Sequence, residues 1–273
     1  MAIVLSPGLG VAPATTFQPH WPIFAWDNLV DIENVEADTA DADYPVTNLA
    51  NPSTNLRWQA ADTSDQALTV TLSTMQAVDC LCVGRHNFGS GRIPVSVDGL
   101  TAEPGADWAN LVPEYLPADD TPMILRYAAA NLIGVRLNLQ PDTVEPRAAV
   151  LNVSKLLVVP HGVAPGHTPI VDGRDVELLT GRAQSGDHLG SIVVGEALST
   201  SASFPDLDGD WYRENMRPFI KAANEGRAFF FGWSPTRRPT EVGYCTVQGP
   251  VRPVINQDTG QMDVAIAMGG TAV

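Results

Sequence analysis

Nucleophilic catalysis needs a serine or cysteine, a histidine and an orienting acid held together. The sequence carries five histidines and three cysteines, yet no serine sits in a G-x-S-x-G elbow. His86, in Gly-Arg-His-Asn-Phe at the end of a candidate strand, is the histidine best placed to be packed, and a structural hydrogen bond is its ordinary role. Cys80 and Cys82 are spaced i, i+2 and so share one face of a strand. With Cys245 they lack C-x-x-C spacing, so reduced, metal-free thiols are expected. Asp38, Asp41 and Asp43 could give hard oxygen ligands to a structural calcium ion, or form a solvated loop. Asp206, Asp208 and Asp210 are better placed as caps of a following helix, because Gly209 and Arg217 do not fit a calcium loop. Gly8-Leu-Gly10 is too short for a dinucleotide fingerprint. No catalytic residue and no cofactor is assigned. The residues with binding chemistry are Tyr44, Arg57 and Trp58, with Trp108. Aromatic rings stack on sugar C–H faces and arginine offers directed donors, although core anchoring is the commoner use of a tryptophan.

Such residues need a scaffold, and composition bounds it. The chain of 273 residues has room for one large or two ordinary domains. No apolar run approaches the roughly 20 residues of a membrane-spanning helix, and the N-terminus, reaching Pro7 without a basic region, is read as lacking a targeting signal. The formal net charge is -15, and Arg57 is the only basic residue among the first 65. Nucleic-acid binding requires lysines and arginines on phosphates, so none is expected.

Glycine (23) and proline (22) punctuate short apolar segments, the signature of a mostly β protein. Candidate strands run over 67–72, 78–84, 93–97, 123–127, 132–139 and 155–159, spaced for a sandwich. The Pro- and Gly-rich stretch 161–169 is the best linker. Beyond it come strands at 175–179, 191–194 and 197–204, a helix over about 210–225, and strands at 228–233, 241–247, 251–255 and 261–268. The expected layout is an N-terminal arm (1–27), a β-sandwich (28–160), the linker (161–169) and a β domain with one helix (170–273).

The segment Tyr44-Pro-Val-Thr-Asn-Leu-Ala-Asn-Pro-Ser-Thr-Asn-Leu-Arg-Trp58, followed by Leu-Thr-Val-Thr-Leu at 68–72 and Val-Asp-Cys-Leu-Cys-Val-Gly-Arg-His-Asn at 78–87, resembles galactose-binding-like (discoidin-type) jelly-roll domains. Asn51 stands where that family commonly has an acid, which argues against a family metal site. Ser203-Phe-Pro, Arg217-Pro-Phe-Ile, Phe229-Phe-Phe-Gly-Trp-Ser-Pro and Pro239-Thr-Glu-Val-Gly-Tyr244 resemble distal tail and tail-tip baseplate proteins of long-tailed bacteriophages. That resemblance implies a structural, non-enzymatic virion component at the tail tip, made in the host cytoplasm. It would form a homo-oligomeric ring, hexameric by resemblance, between the tail-tube protein and the baseplate hub. The alternative is a tail module whose first domain binds a host-surface glycan. Phe229, Phe230, Phe231, Trp233 and Tyr244 offer more apolar surface than one helix and one sheet face readily cover, so an oligomer interface is expected there.

Overall fold

The computed structural model describes residues 3–5, 21–101 and 106–270; Gly8-Leu-Gly10 lies outside them. The strands in chain order are β1 (Ile3–Leu5), β2 (Ile23–Ala25), β3 (Val35–Ala37), β4 (Trp58–Gln59), β5 (Gln66–Gly84), β6 (Val95–Leu100), β7 (Ala109–Tyr115), β8 (Met123–Leu139) and β9 (Arg147–Ala148). They continue with β10 (Val150–Ser154), β11 (Leu157–Val158), β12 (Arg174–Arg182), β13 (His188–Leu207), β14 (Phe229–Gly232), β15 (Val242–Val247), β16 (Val254–Ile255) and β17 (Met262–Gly270). The fold is mostly β, as its punctuation implies.

The first sheet runs β10-β5-β8-β6-β7, with β3 on β5 and β1 parallel to β8. β5 and β8 are too long for one flat layer. Their register breaks between Thr71 and Gln76 and again between Val78 and Cys80. The early half of β5 pairs with β3, and the later half with β10. The two halves enclose one core in which Leu68, Val70, Leu81, Val83, Val97, Leu125, Leu137 and Leu151 meet. Period-two alternation selects these residues, since neighbours on a strand point to opposite faces.

The second sheet runs β11-β2-β14-β15-β17-β13-β12. Its membership changes the expected domain layout. Residues 23–25, expected in an arm, pair as β2 with β14 (Phe230 opposite Ala25), and residues 157–158, expected in the sandwich, pair as β11 with β2 (Leu157 opposite Phe24). The sandwich is therefore an insertion between two adjacent strands of the second sheet. The stretch 161–169 is not a free tether either. Ala164 N–H donates to the Ser203 carbonyl at 2.8 Å, and His167 Nδ1–H donates to the Ser201 carbonyl at 2.8 Å, so it lies along β13.

The helical stretch opens as α1 (Gly209–Trp211), passes through a π-helical turn at Tyr212–Met216 and continues as α2 (Arg217–Asn224). Asp208 is the cap, accepting from Asp210 N–H at 3.1 Å and Trp211 N–H at 2.9 Å. Pro218 has no N–H to donate to the preceding turn and stands just after the π-helical turn, where the helix changes over to α2, and Gly226 ends the helix at φ +91°. Phe219 packs on Phe24 (4.7 Å between centroids) and edge-on to Phe229 (5.1 Å), closing the second core.

A third core lies between the two units. Cys80 and Cys82, on the opposite face of β5 from Leu81 and Val83, meet Ile23, Ile124, Val150, Phe230, Val242 and Tyr244. Tyr244 Oη–H donates across the junction to the Pro52 carbonyl at 2.9 Å. Around β2, β14 and β15 both faces of the second sheet are thus covered, one by the helix and one by the sandwich.

Candidate functional site

A polar concavity in the sandwich gathers segments that are remote in sequence. It holds about 330 Å3 and is lined by Thr54, Asn55, Arg57, Arg85, His86, Asp120, Arg147 and Ala149. Arg57 ends the loop after a 3₁₀ turn at Val46–Ala50, Arg85 follows β5, Asp120 precedes β8, and Arg147 opens β9. These are the ends of neighbouring strands, so the sandwich topology brings the loops to one rim.

Each wall has a local cause. Asn48 Nδ2 donates to the Arg57 carbonyl at 2.7 Å and fixes the first loop. Asn87 clamps the Glu145–Arg147 segment, its Nδ2 donating to the Glu145 carbonyl and its Oδ1 accepting from Arg147 N–H, both at 2.9 Å. Asp120 Oδ1 accepts from Gly89 N–H at 3.0 Å and Ser90 N–H at 2.8 Å. Residue 89 must be glycine, because a Cβ there would lie 2.3 Å from the Asp119 backbone. Arg85 has φ +49°, a left-handed conformation that costs an arginine roughly 1–2 kcal/mol and is typically kept where a side chain must be aimed.

The charge state of the rim follows from the same contacts. His86 is buried; its Nδ1 accepts from Phe88 N–H at 3.2 Å, so the proton sits on Nε2 and is donated to the Thr121 carbonyl at 2.9 Å. Burial pulls its pKa down to about 4, against the opposing pull of the Thr121 bond and of Asp120 and Asp119. A neutral ring with both nitrogens committed is a strut, as its sequence position implied. Arg57 lies over the Tyr44 ring at 4.1 Å from its centroid, and Arg57 Nε is buried with no hydrogen-bond partner. None of Arg57, Arg85 and Arg147 forms an ion pair among the described residues.

The sequence-predicted residues divide accordingly. Tyr44 and Arg57 come together, but Trp58 does not join them outside. It is fully buried in the sandwich core, with Nε1–H donated to the Thr39 carbonyl at 3.0 Å. Trp108 lies elsewhere, under the Arg136 guanidinium at 4.6 Å. Arg85 and Arg147 were not singled out by sequence reasoning, since no spacing links positions 57, 85 and 147.

Phe229, Phe230, Phe231 and Tyr244 require a correction. The first three have at most 1% of their surface exposed and Tyr244 has 7%, leaving nothing substantial to bury against another copy. Alternation turns Phe229 and Phe231 towards the helix and Phe230 towards the sandwich. The apparent surplus of aromatic surface is covered by the inserted unit. Trp233 is half-buried, donates Nε1–H to Glu241 Oε2, and lies 5.3 Å from the His167 ring.

Asp38 and Asp41 are used within loops, Asp38 Oδ2 accepting from Ala67 N–H and Asp41 Oδ1 from Asp43 N–H, each at 2.8 Å. No group of three histidine, cysteine or acidic side chains converges for a metal among the described residues. Cys80, Cys82 and Cys245 are buried free thiols. No helix is long and apolar enough to cross a membrane.

A cluster of exposed apolar side chains lies elsewhere, on the hairpin of β12 and β13. Leu178 stands opposite Val193 on one face and Leu179 opposite Ile192 on the other. All four are half or more exposed, as are Leu189 and Val194.

No family model matches the sequence, and no curated protein matches it. Solved structures similar to part of the chain include carbohydrate-binding modules. Chitosan-binding module 1 of a chitosanase/glucanase from Paenibacillus sp. IK-5 is 14% identical, over 46% of this chain and 97% of that one, with a TM-score of 0.41. A pectin-binding carbohydrate-binding module is 16% identical over 47% and 91%, with a TM-score of 0.38. A Clostridium perfringens module in complex with GalNAc-β-1,3-galactose is 14% identical over 44% and 93%, with a TM-score of 0.38.

Proposed function

We propose that the chain is a non-catalytic glycan-binding component of a larger assembly, with the inserted sandwich holding the glycan and the second sheet serving as its mount. The cleft carries this reading. It offers three guanidinium forks, the Asn55 amide, the Thr54 hydroxyl and the Asp120 carboxylate around one polar concavity, a mixture suited to sugar hydroxyls and their substituents. The only histidine lining it is committed at both nitrogens and so is not free to act as a general base. The test is a glycan array followed by calorimetry on the hits. Arg57→Ala should abolish binding while leaving the melting temperature nearly unchanged; tight binding that survives this change would place the glycan elsewhere.

A second reading concerns the mount: a ring at the distal end of a phage tail tube, joining it to the baseplate and housed in the virion. The exposed hairpin favours it. A two-stranded ribbon apolar on both faces is marginal alone and gains by lying against neighbouring copies. Light scattering of the full chain should give a multiple of the 29.1 kDa protomer mass that falls when Leu179→Thr and Ile192→Thr are combined. A strictly monomeric wild-type chain, alone and with a tail-tube partner, would remove this reading.

A further inference from the structure

We propose that the glycan held by Arg57, Arg85 and Arg147 is acidic, presenting a carboxylate or a phosphate to the three guanidiniums. The inference rests on the glycan-binding function proposed for the same cleft and adds the charge of its ligand.

The argument begins with scarcity. A chain with 31 acidic and 16 basic residues places three arginines from positions 57, 85 and 147 around one concavity, and none of them forms an ion pair among the described residues. Elsewhere the protein does pair arginines with acids, as in Arg136 with Asp98 at 2.8 Å and Arg227 with Asp27 at 3.0 Å. In the cleft the one acid, Asp120, already accepts two backbone N–H groups through Oδ1. His86 adds no positive charge, because its Nδ1 is an acceptor. The rim is therefore cationic on a molecule of net charge -15, and like charges gathered in a concavity repel until an anion joins them.

Geometry narrows the anion. Tyr44 holds the Arg57 guanidinium by its face, at 4.1 Å, which orients the fork without using its N–H donors. Arg57 Nε is left buried and unpartnered. Arg85 is launched into the rim from a backbone at φ +49°, a conformation that glycine would adopt without strain. A guanidinium matches the planar, two-oxygen edge of a carboxylate or phosphate, whereas sugar hydroxyls are served as well by amides and carboxylates. Uronic acids supply the first group and phosphodiester-linked polyols the second.

The experiment is calorimetry on the full chain with three probes: a hexuronate oligosaccharide, the neutral hexose oligosaccharide of the same length and linkage, and a poly(glycerol phosphate). One acidic probe should bind at least about ten-fold more tightly than the neutral one, and its affinity should fall steeply as salt rises. Binding of the uronate alone identifies a carboxylate ligand, and binding of the polyphosphate alone a phosphate ligand. Arg147→Ala and Arg85→Gly should each cost about ten-fold or more in affinity for the acidic probe. Arg85→Gly should also melt no lower than the wild type, because strain is removed, which separates loss of a ligand contact from misfolding. Equal, salt-independent binding of the neutral probe overturns the acidic ligand but leaves a glycan-binding cleft. Absence of binding by all three overturns both, and full affinity in Arg85→Gly overturns the role of the arginines.

Discussion

His86 and Asp79 should give this protein a nearly flat stability profile in mild acid by opposing one another. His86 is 5% exposed, and burial lowers its pKa from the ordinary 6.5 to about 4. The unfolded chain therefore takes up a proton near 6.5 that the folded chain refuses until about 4. Stability from this group is complete above 6.5 and is lost as pH falls through that window. Between about pH 7.5 and about pH 5 the loss comes to about 2 kcal/mol. Asp79 works the other way. Burial raises its pKa from 3.8 to about 6, against the lowering effects of the Leu156 N–H bond, Arg126 and Lys155. Its stability contribution is greatest below 3.8 and is lost as pH rises through about 6, so the same descent returns about 1.4 kcal/mol. The informative variant is His86→Asn, whose side-chain oxygen can still accept from Phe88 N–H but cannot titrate. At about pH 7.5 it should be less stable than wild type by about 1–2 kcal/mol, having lost the Thr121 bond and the stacking on Phe88. At about pH 5 that gap should shrink by about 2 kcal/mol, with Asp79→Asn shifting in the opposite sense by about 1.4 kcal/mol. Urea unfolding at the two pH values measures both. A gap for His86→Asn that stays constant within about 0.5 kcal/mol would refute a buried neutral imidazole.

Trp58→Ala should destabilise by about 3–5 kcal/mol, since it empties a fully buried site and strands the Thr39 carbonyl; a variant with unchanged denaturation that has lost only ligand binding would return Trp58 to the cleft. Cys80, Cys82 and Cys245 should be inert to a thiol reagent in the native protein and all three should react after unfolding, because burial raises the thiol pKa of Cys82 and Cys245 far above its ordinary value. Rapid native reaction of any one of them would contradict that burial.

Local pattern made much of the fold legible. Alternation at Leu68–Leu72 marks a strand with one covered face, and Asp208 with Gly226 brackets the helix within a residue or two of its observed ends. What local pattern could not convey was pairing across distance. Ile23-Phe-Ala25 is three residues with no periodicity, and its neighbour, Phe230, lies more than 200 positions away. Without that pairing the aromatic strand looks under-covered, and Phe229 to Phe231 resemble a contact between copies in the sequence alone. The site shows the same division. Arg57 is legible because it adjoins Trp58 in the segment that opens at Tyr44, whereas Arg85 and Arg147 reach the rim only through the order of β5, β9 and β10.

The insertion of the sandwich between β2 and β11 has a consequence for the order of folding during synthesis. β2 leaves the ribosome early, yet its two sheet partners are made about 130 and 200 residues later. If the intervening chain stayed disordered, joining β2 to β11 would close a loop of that length. Once the sandwich has folded, its own pairing of β10 with β5, and the bond from Leu29 N–H to the Val153 carbonyl at 2.9 Å, hold the two exits side by side. The effective loop then shrinks to a few residues, lowering the closure cost by about 2 kcal/mol. The sandwich should thus mature first and act as the clamp on which the second sheet zips from β11 and β2 outward. Mutations in its core would then slow assembly of a sheet they never touch.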